Sequence, residues 1–126
     1  MYRVKIGNNG TSQFQVESDN YRFTIDTEGS GITPPATLLA SLGSCIGVYL
    51  RKYAEGAKLD LGSFSIDLQA ELSREKPVSF REIKVVVTCD GARLDEHRKK
   101  ALAAFIKNCP VHNTLRSGPQ IEITIV

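Results

Sequence analysis

The residues predict an α+β fold in a single domain, 1–126, and three observations carry that expectation. Short runs in which apolar and polar residues alternate read as strands. A long apolar stretch in the middle reads as a buried helix. The elements follow in the order three strands, helix, two strands, helix pair, one strand, with no internal repeat and no low-complexity tract.

Tyr2, Val4 and Ile6 alternate with polar neighbours, Gly7-Asn8-Asn9-Gly10 supplies turn chemistry, and Phe14 and Val16 resume the alternation. After a second turn at Ser18-Asp19-Asn20, Tyr21, Phe23 and Ile25 repeat at period two, so the start reads as a three-stranded antiparallel meander. Glu28 to Thr33 forms a Gly-rich loop.

Thr33 is a suitable cap for a helix whose first turn accepts Pro34 and Pro35, because those positions have no intrahelical partner for an N–H. The helix is expected to end near Gly56. Between these limits Leu38, Leu39, Leu42, Cys45, Ile46, Val48, Tyr49, Leu50 and Tyr53 surround most of it, the pattern of an element buried on several sides. Gly43 and Gly47, with Ala40 and Ser44, leave one side nearly bare for another backbone, a dimer partner being one candidate.

Phe64, Ile66, Leu68, Ala70 and Leu72 alternate, Ser73 to Pro77 turn, and Ile83, Val85, Val87 and Cys89 alternate again, which predicts a second hairpin. From the cap Asp95, a further helix buries Leu102, Phe105, Ile106 and Cys109 and turns Arg98, Lys99 and Lys107 away. Pro110 stops it near Asn108, since the residue before proline avoids helical angles. A short helical turn up to Gly118 and a last strand at Ile121, Ile123 and Ile125 are expected to follow.

Composition narrows the function classes. Sixteen basic and 14 acidic residues give a net charge of +2, and only Arg98-Lys99-Lys100 forms a basic run, so no nucleic-acid surface is expected. The stretch from Leu38 to Leu50, interrupted by small polar residues and glycine, falls short of the roughly 20 apolar residues that span a bilayer. The first residues lack a secretory pattern, and a cytoplasmic chain is expected. Three cysteines in a reducing compartment do not imply a structural disulfide.

Chemistry then rests on thiols. Cys45, in the apolar helix, reads first as a small buried hydrophobe. Cys109 stands at a helix break before Pro110-Val111-His112, where free N–H groups of a new turn favour a thiolate. His112 is either a source of positive charge or a surface side chain, His97 a solvated one, and Cys89 a structural residue at a strand end. Cys109 and His112 have a spacing a metal would accept, but no C-x-x-C pair accompanies them, and no resident metal or cofactor is expected. Phosphate-binding loops and a nucleophile elbow are absent from the sequence.

Two segments together add a family. Pro35-Ala36-Thr37-Leu38-Leu39-Ala40-Ser41-Leu42-Gly43-Ser44-Cys45 and Asn108-Cys109-Pro110-Val111-His112-Asn113-Thr114-Leu115 resemble the OsmC/Ohr family of osmotically induced and organic hydroperoxide resistance proteins. The resemblance implies an intertwined homodimer and a thiol peroxidase cycle on small hydroperoxides. In that cycle Cys45 becomes a sulfenic acid, Cys109 resolves it to a disulfide, and an external dithiol restores both. The chain departs from the pattern in two places: Pro34 is followed by Pro35, Ala36 and Thr37, without the glutamate that orients an activating arginine, and the first meander holds no Gly-Gly-Arg-like motif, so neither Arg3 nor Arg22 takes that role by position. A non-enzymatic dimer that binds a small apolar ligand or carries sulfur on Cys109 is the alternative.

Overall fold

Alternation in the first residues becomes a sheet in the computed structural model, which describes residues 1–29, 31–90 and 93–126. Strands β1 (Lys5–Asn8), β2 (Gln13–Glu17) and β3 (Arg22–Asp26) pair antiparallel in sequence order, with Ile6 opposite Val16 and Val16 opposite Phe23. Of the Gly-rich loop that follows, Ser30 lies outside the described residues. The loop is tied back where Asp26 N–H donates to the Ile32 carbonyl at 3.1 Å and Ile25 bridges Ile32. The chain divides into two compact units, Met1–Ala40 and Ser41–Val126.

Helix α1 (Pro34–Ala57) starts as expected. Thr33 Oγ1 accepts from the Ala36 N–H at 3.4 Å, and the Thr33 carbonyl accepts the Thr37 N–H at 2.8 Å. Its end differs from the expectation at Gly56. Lys58, with φ 52°, takes the left-handed position that glycine usually fills, and the Leu59 and Lys58 N–H groups close onto the Ala54 and Glu55 carbonyls. The hydrogen bonds of this closing turn, rather than residue type, set the last residue of α1.

In the second unit, β4 (Phe64–Leu72) and β5 (Phe80–Cys89) form the expected hairpin with Phe64 opposite Cys89 and Leu68 opposite Val85, and a bulge between Ala70 and Leu72. The two glycines of α1 face this hairpin. A Cβ built on Gly43 would stand 2.6 Å from Leu68 Cδ1, and one on Gly47 would touch Ile66 and Phe64 at 3.5 Å. The bare glycine side offered to a dimer partner in the sequence reading is therefore occupied by β4 side chains of the same chain.

Leu42, Ile46, Leu50 and Leu61 join Leu102 in the core, and Leu50 is fully buried. Leu102 comes from α2 (Glu96–Ile106), capped by Asp95, whose Oδ1 accepts from the Arg98 N–H at 2.7 Å. Arg98 does not simply face away: its guanidinium donates to the Tyr53 hydroxyl at 3.2 Å. Burial of α1 is confined to one stripe in the single chain, and Val48 stays 50% exposed. The expectation was burial on several sides; within this unit the hairpin and α2 bury Leu42, Gly43, Ile46 and Leu50 and partly cover Tyr49, Tyr53 and Ala54, which leaves the side of Val48 open in the single chain.

Helix α3 (Pro110–Ser117) completes the pair, with Gly118 at φ 64° ending it. The expected last strand is not formed. Residues 119–126 lie outside any strand, and Ile121, Ile123 and Ile125 are 78%, 81% and 92% exposed. Alternation creates a strand only where a ladder partner takes up its backbone groups, and this segment has none among the described residues.

Candidate active site

Cys45 sits in α1 one turn after Leu42 and one residue before Ile46, so the core contacts of those two side chains fix its position at the margin of the buried stripe. It is half-buried. Cys109 occupies the break between α2 and α3 and is fully buried. Pro110 explains the break: it cannot continue α2 but suits the first position of α3, where no N–H is required.

Cys109 becomes the N-cap of α3, with non-helical backbone at φ −56° and ψ 121°. Its Sγ accepts the His112 N–H at 3.5 Å. The Val111 N–H of the same turn and the Cys109 thiol both act on the titration of Cys45. The start of α3 thus acts on both sulfurs, and two thiols separated by 64 positions in the sequence are neighbours in the fold. Sequence reading had singled out both residues, and their proximity was beyond it.

The electrostatics of Cys45 pull in opposite directions. Burial, followed by the Cys109 thiol, pushes Cys45 above its ordinary value, while the Val111 N–H and the charge of Lys52 pull it down. Burial wins, so the thiol form is favoured in the folded chain. Sequence analysis missed Lys52 and the Val111 N–H. The seven-residue offset of Lys52 from Cys45, two helical turns, was the available signal for the first.

Other candidates fall elsewhere. The His112 ring Nδ1 is 3.1 Å from Asn113 Oδ1, and its link to Cys109 runs through the backbone N–H, so the pair makes a helix cap and not a shared ligand set. Among the described residues no group of three His, Cys, Asp or Glu side chains stands close enough to hold a metal. Cys89 is half-buried at the end of β5, and its thiol is raised first by burial and then by Asp90. His97 is exposed, as expected. Arg22 pairs with Glu17 at 3.3 Å on the surface of the first unit. No helix among the described residues is long and apolar enough to cross a membrane.

The OsmC-like protein family model matches residues 27–124, which include both thiols. The chain belongs to the OsmC-like family. Among its relatives, a hydroperoxide reductase of Mycoplasma genitalium is 26% identical over 98% of this chain and 93% of its own length. The fold of this OsmC-like chain is shared by the OsmC-like protein of Mycoplasma pneumoniae, with a TM-score of 0.83 at 23% identity over 94% of this chain and 89% of the other. It also resembles the organic hydroperoxide resistance protein OhrB of Bacillus subtilis, with a TM-score of 0.68 at 19% identity over 93% of each chain.

Proposed function

We propose that this chain is a cytoplasmic, homodimeric thiol peroxidase that reduces small organic hydroperoxides, with Cys45 as nucleophile and Cys109 as resolving thiol. The observation that carries the reading is that Cys45 and Cys109, 64 positions apart in the sequence, are neighbours at the start of α3, where Cys109 acts on the Cys45 thiol and accepts the His112 N–H. The name of the Mycoplasma genitalium relative, hydroperoxide reductase, supports the same chemistry.

Exposure supports the order of events. Cys45 is reachable where Cys109 is fully buried. The Cys45 thiolate attacks one oxygen of the hydroperoxide, the O–O bond breaks, and the departing alkoxide takes a proton and leaves as an alcohol, while Cys45 becomes a sulfenic acid. The Cys109 sulfur then displaces the sulfenic oxygen as water, forming the disulfide. An external dithiol, itself oxidised to a disulfide, returns both thiols by two exchanges.

The homodimer takes its support from the exposed Ile121, Ile123 and Ile125, whose alternation suits a ladder with a second copy, and from exposed Val48 and Leu38 on α1. Mixing the reduced protein with cumene hydroperoxide in a stopped flow, then mapping disulfides by mass spectrometry, tests the cycle. Rapid stoichiometric Cys45–Cys109 disulfide is the expected result, Cys45→Ser abolishes turnover, and Cys109→Ser accumulates a sulfenic acid that dimedone traps. Unchanged turnover in Cys45→Ser ends the proposal.

One observation favours a second reading. Burial holds the Cys45 thiol above its ordinary value, which suits a non-enzymatic role in which the same fold binds a small apolar ligand or carries sulfur on Cys109. Slow, non-specific oxidation in the same experiment selects it.

A further inference from the structure

Cys45, Tyr49 and Lys52 stand on one face of α1, since offsets of four and seven residues leave them within about 60° of one another around the helix axis. The Lys52 ammonium lies 4.7 Å from the centre of the Tyr49 ring. That contact fixes its direction. Helical side chains lean toward the N-terminus of their own helix, and an ammonium resting on the residue three positions earlier is turned back along α1 toward Cys45.

Its platform is braced from the second helix. The Tyr49 ring lies 6.0 Å from Phe105 of α2, Phe105 lies 5.6 Å from Tyr53, and the Tyr53 hydroxyl accepts from Arg98. Phe105 precedes Cys109 by four residues, so the aromatic cluster that holds Lys52 joins α1 to the end of α2 just before the break that carries Cys109. The charged and titratable groups that act on Cys45 are the Cys109 thiol, from the break between α2 and α3, and Lys52, from its own helix. Lys52 acts in the direction that favours the thiolate.

We propose that Lys52, held over Tyr49, is the positioning cation that stabilises the Cys45 thiolate. The inference rests on Cys45 being the reacting thiol and is independent of which oxidant it meets. Cation–π contact with Tyr49 stabilises the ammonium where its field reaches the sulfur, and exposure of Lys52 keeps that field moderate through solvent screening.

Iodoacetamide alkylation tests it without any peroxide. In a Cys109→Ser background, Cys45 modification is followed by mass spectrometry from about pH 6 to about pH 10, with Cys89 of the same sample as internal reference. Lys52→Met is expected to slow Cys45 alkylation roughly threefold near neutral pH and displace its profile to higher pH, Lys52→Glu to slow it further, and Lys52→Arg to restore it. The Cys89 profile stays in place. Superposed Cys45 profiles in Lys52→Met and the parent overturn the proposal, as does an equal change at Cys89, which would mark a structural effect. If peroxide turnover is absent while Lys52→Met still displaces the Cys45 profile, the peroxidase reading falls and Lys52 keeps its role. If turnover is present and the profile does not move, the reverse holds.

Discussion

The Cys109 sulfur accepts the backbone N–H of His112 at 3.5 Å, so one side chain serves both as the cap of α3 and as the partner of the Cys45 thiol. This double use predicts that the two common cysteine replacements behave differently. Serine keeps an acceptor at the N-cap, whereas Cys109→Ala leaves the first turn of α3 without one and is expected to cost about 1 kcal/mol more than serine. Urea unfolding of the two variants measures the difference, and equal midpoints would remove the capping role.

Lys58 holds a left-handed conformation at φ 52° to close α1, a position in which a side chain costs about 1 kcal/mol relative to glycine. Lys58→Gly is therefore expected to raise stability by up to about 1 kcal/mol, less what the added freedom of the unfolded chain removes. A lowered melting temperature would contradict this account of the helix end.

Gly43 and Gly47 face the same hairpin with different clearance, and the pair separates helix propensity from packing. Alanine at Gly47 meets Ile66 and Phe64 at 3.5 Å, ordinary contact, so Gly47→Ala is expected to stabilise by about 1 kcal/mol through helix propensity. Alanine at Gly43 would meet Leu68 Cδ1 at 2.6 Å, and moving Leu68 costs about 1 kcal/mol or more, which cancels the gain. Thermal unfolding that ranks Gly43→Ala above Gly47→Ala would refute the assignment of these faces.

Asp26 predicts an acid sensitivity in the first unit. Its carboxylate accepts the Glu28 N–H at 2.9 Å and the Ser12 hydroxyl at 2.8 Å, and these bonds hold it below the ordinary aspartate value of 3.8. The sign follows: a depressed folded value contributes stability that is present above 3.8 and is lost as pH falls through the lower folded value. An NMR titration of the Asp26 carboxyl should show a midpoint below that of an unstructured aspartate. Asp26→Asn should flatten the acid limb of the stability profile of this unit, and an unshifted midpoint would sink the prediction.

Much of this was legible in the residues. Alternation in Ile6, Val16 and Phe23 and in Ile66, Val85 and Val87 named the strands because side chains on a strand repeat at period two. Thr33, Asp95 and Pro110 named three helix starts because caps and proline act locally. Lys58 escaped notice because a left-handed residue other than glycine is dictated by the hydrogen bonds of the closing turn. Ile121, Ile123 and Ile125 carry strand periodicity, yet periodicity supplies no partner for a ladder.

By itself, then, the sequence determined the kinds of element and their order as far as α3 and singled out Cys45 and Cys109 as candidates, since these depend on local propensity and residue type. Tertiary structure alone decided that Cys45 and Cys109 are neighbours, that the glycine side of α1 belongs to Leu68 and Ile66, and that Lys52 rests on the Tyr49 ring. Those are contacts between positions far apart in the chain or rotamers set by a neighbour's ring. Their energies arise only once the core around Leu50 has closed.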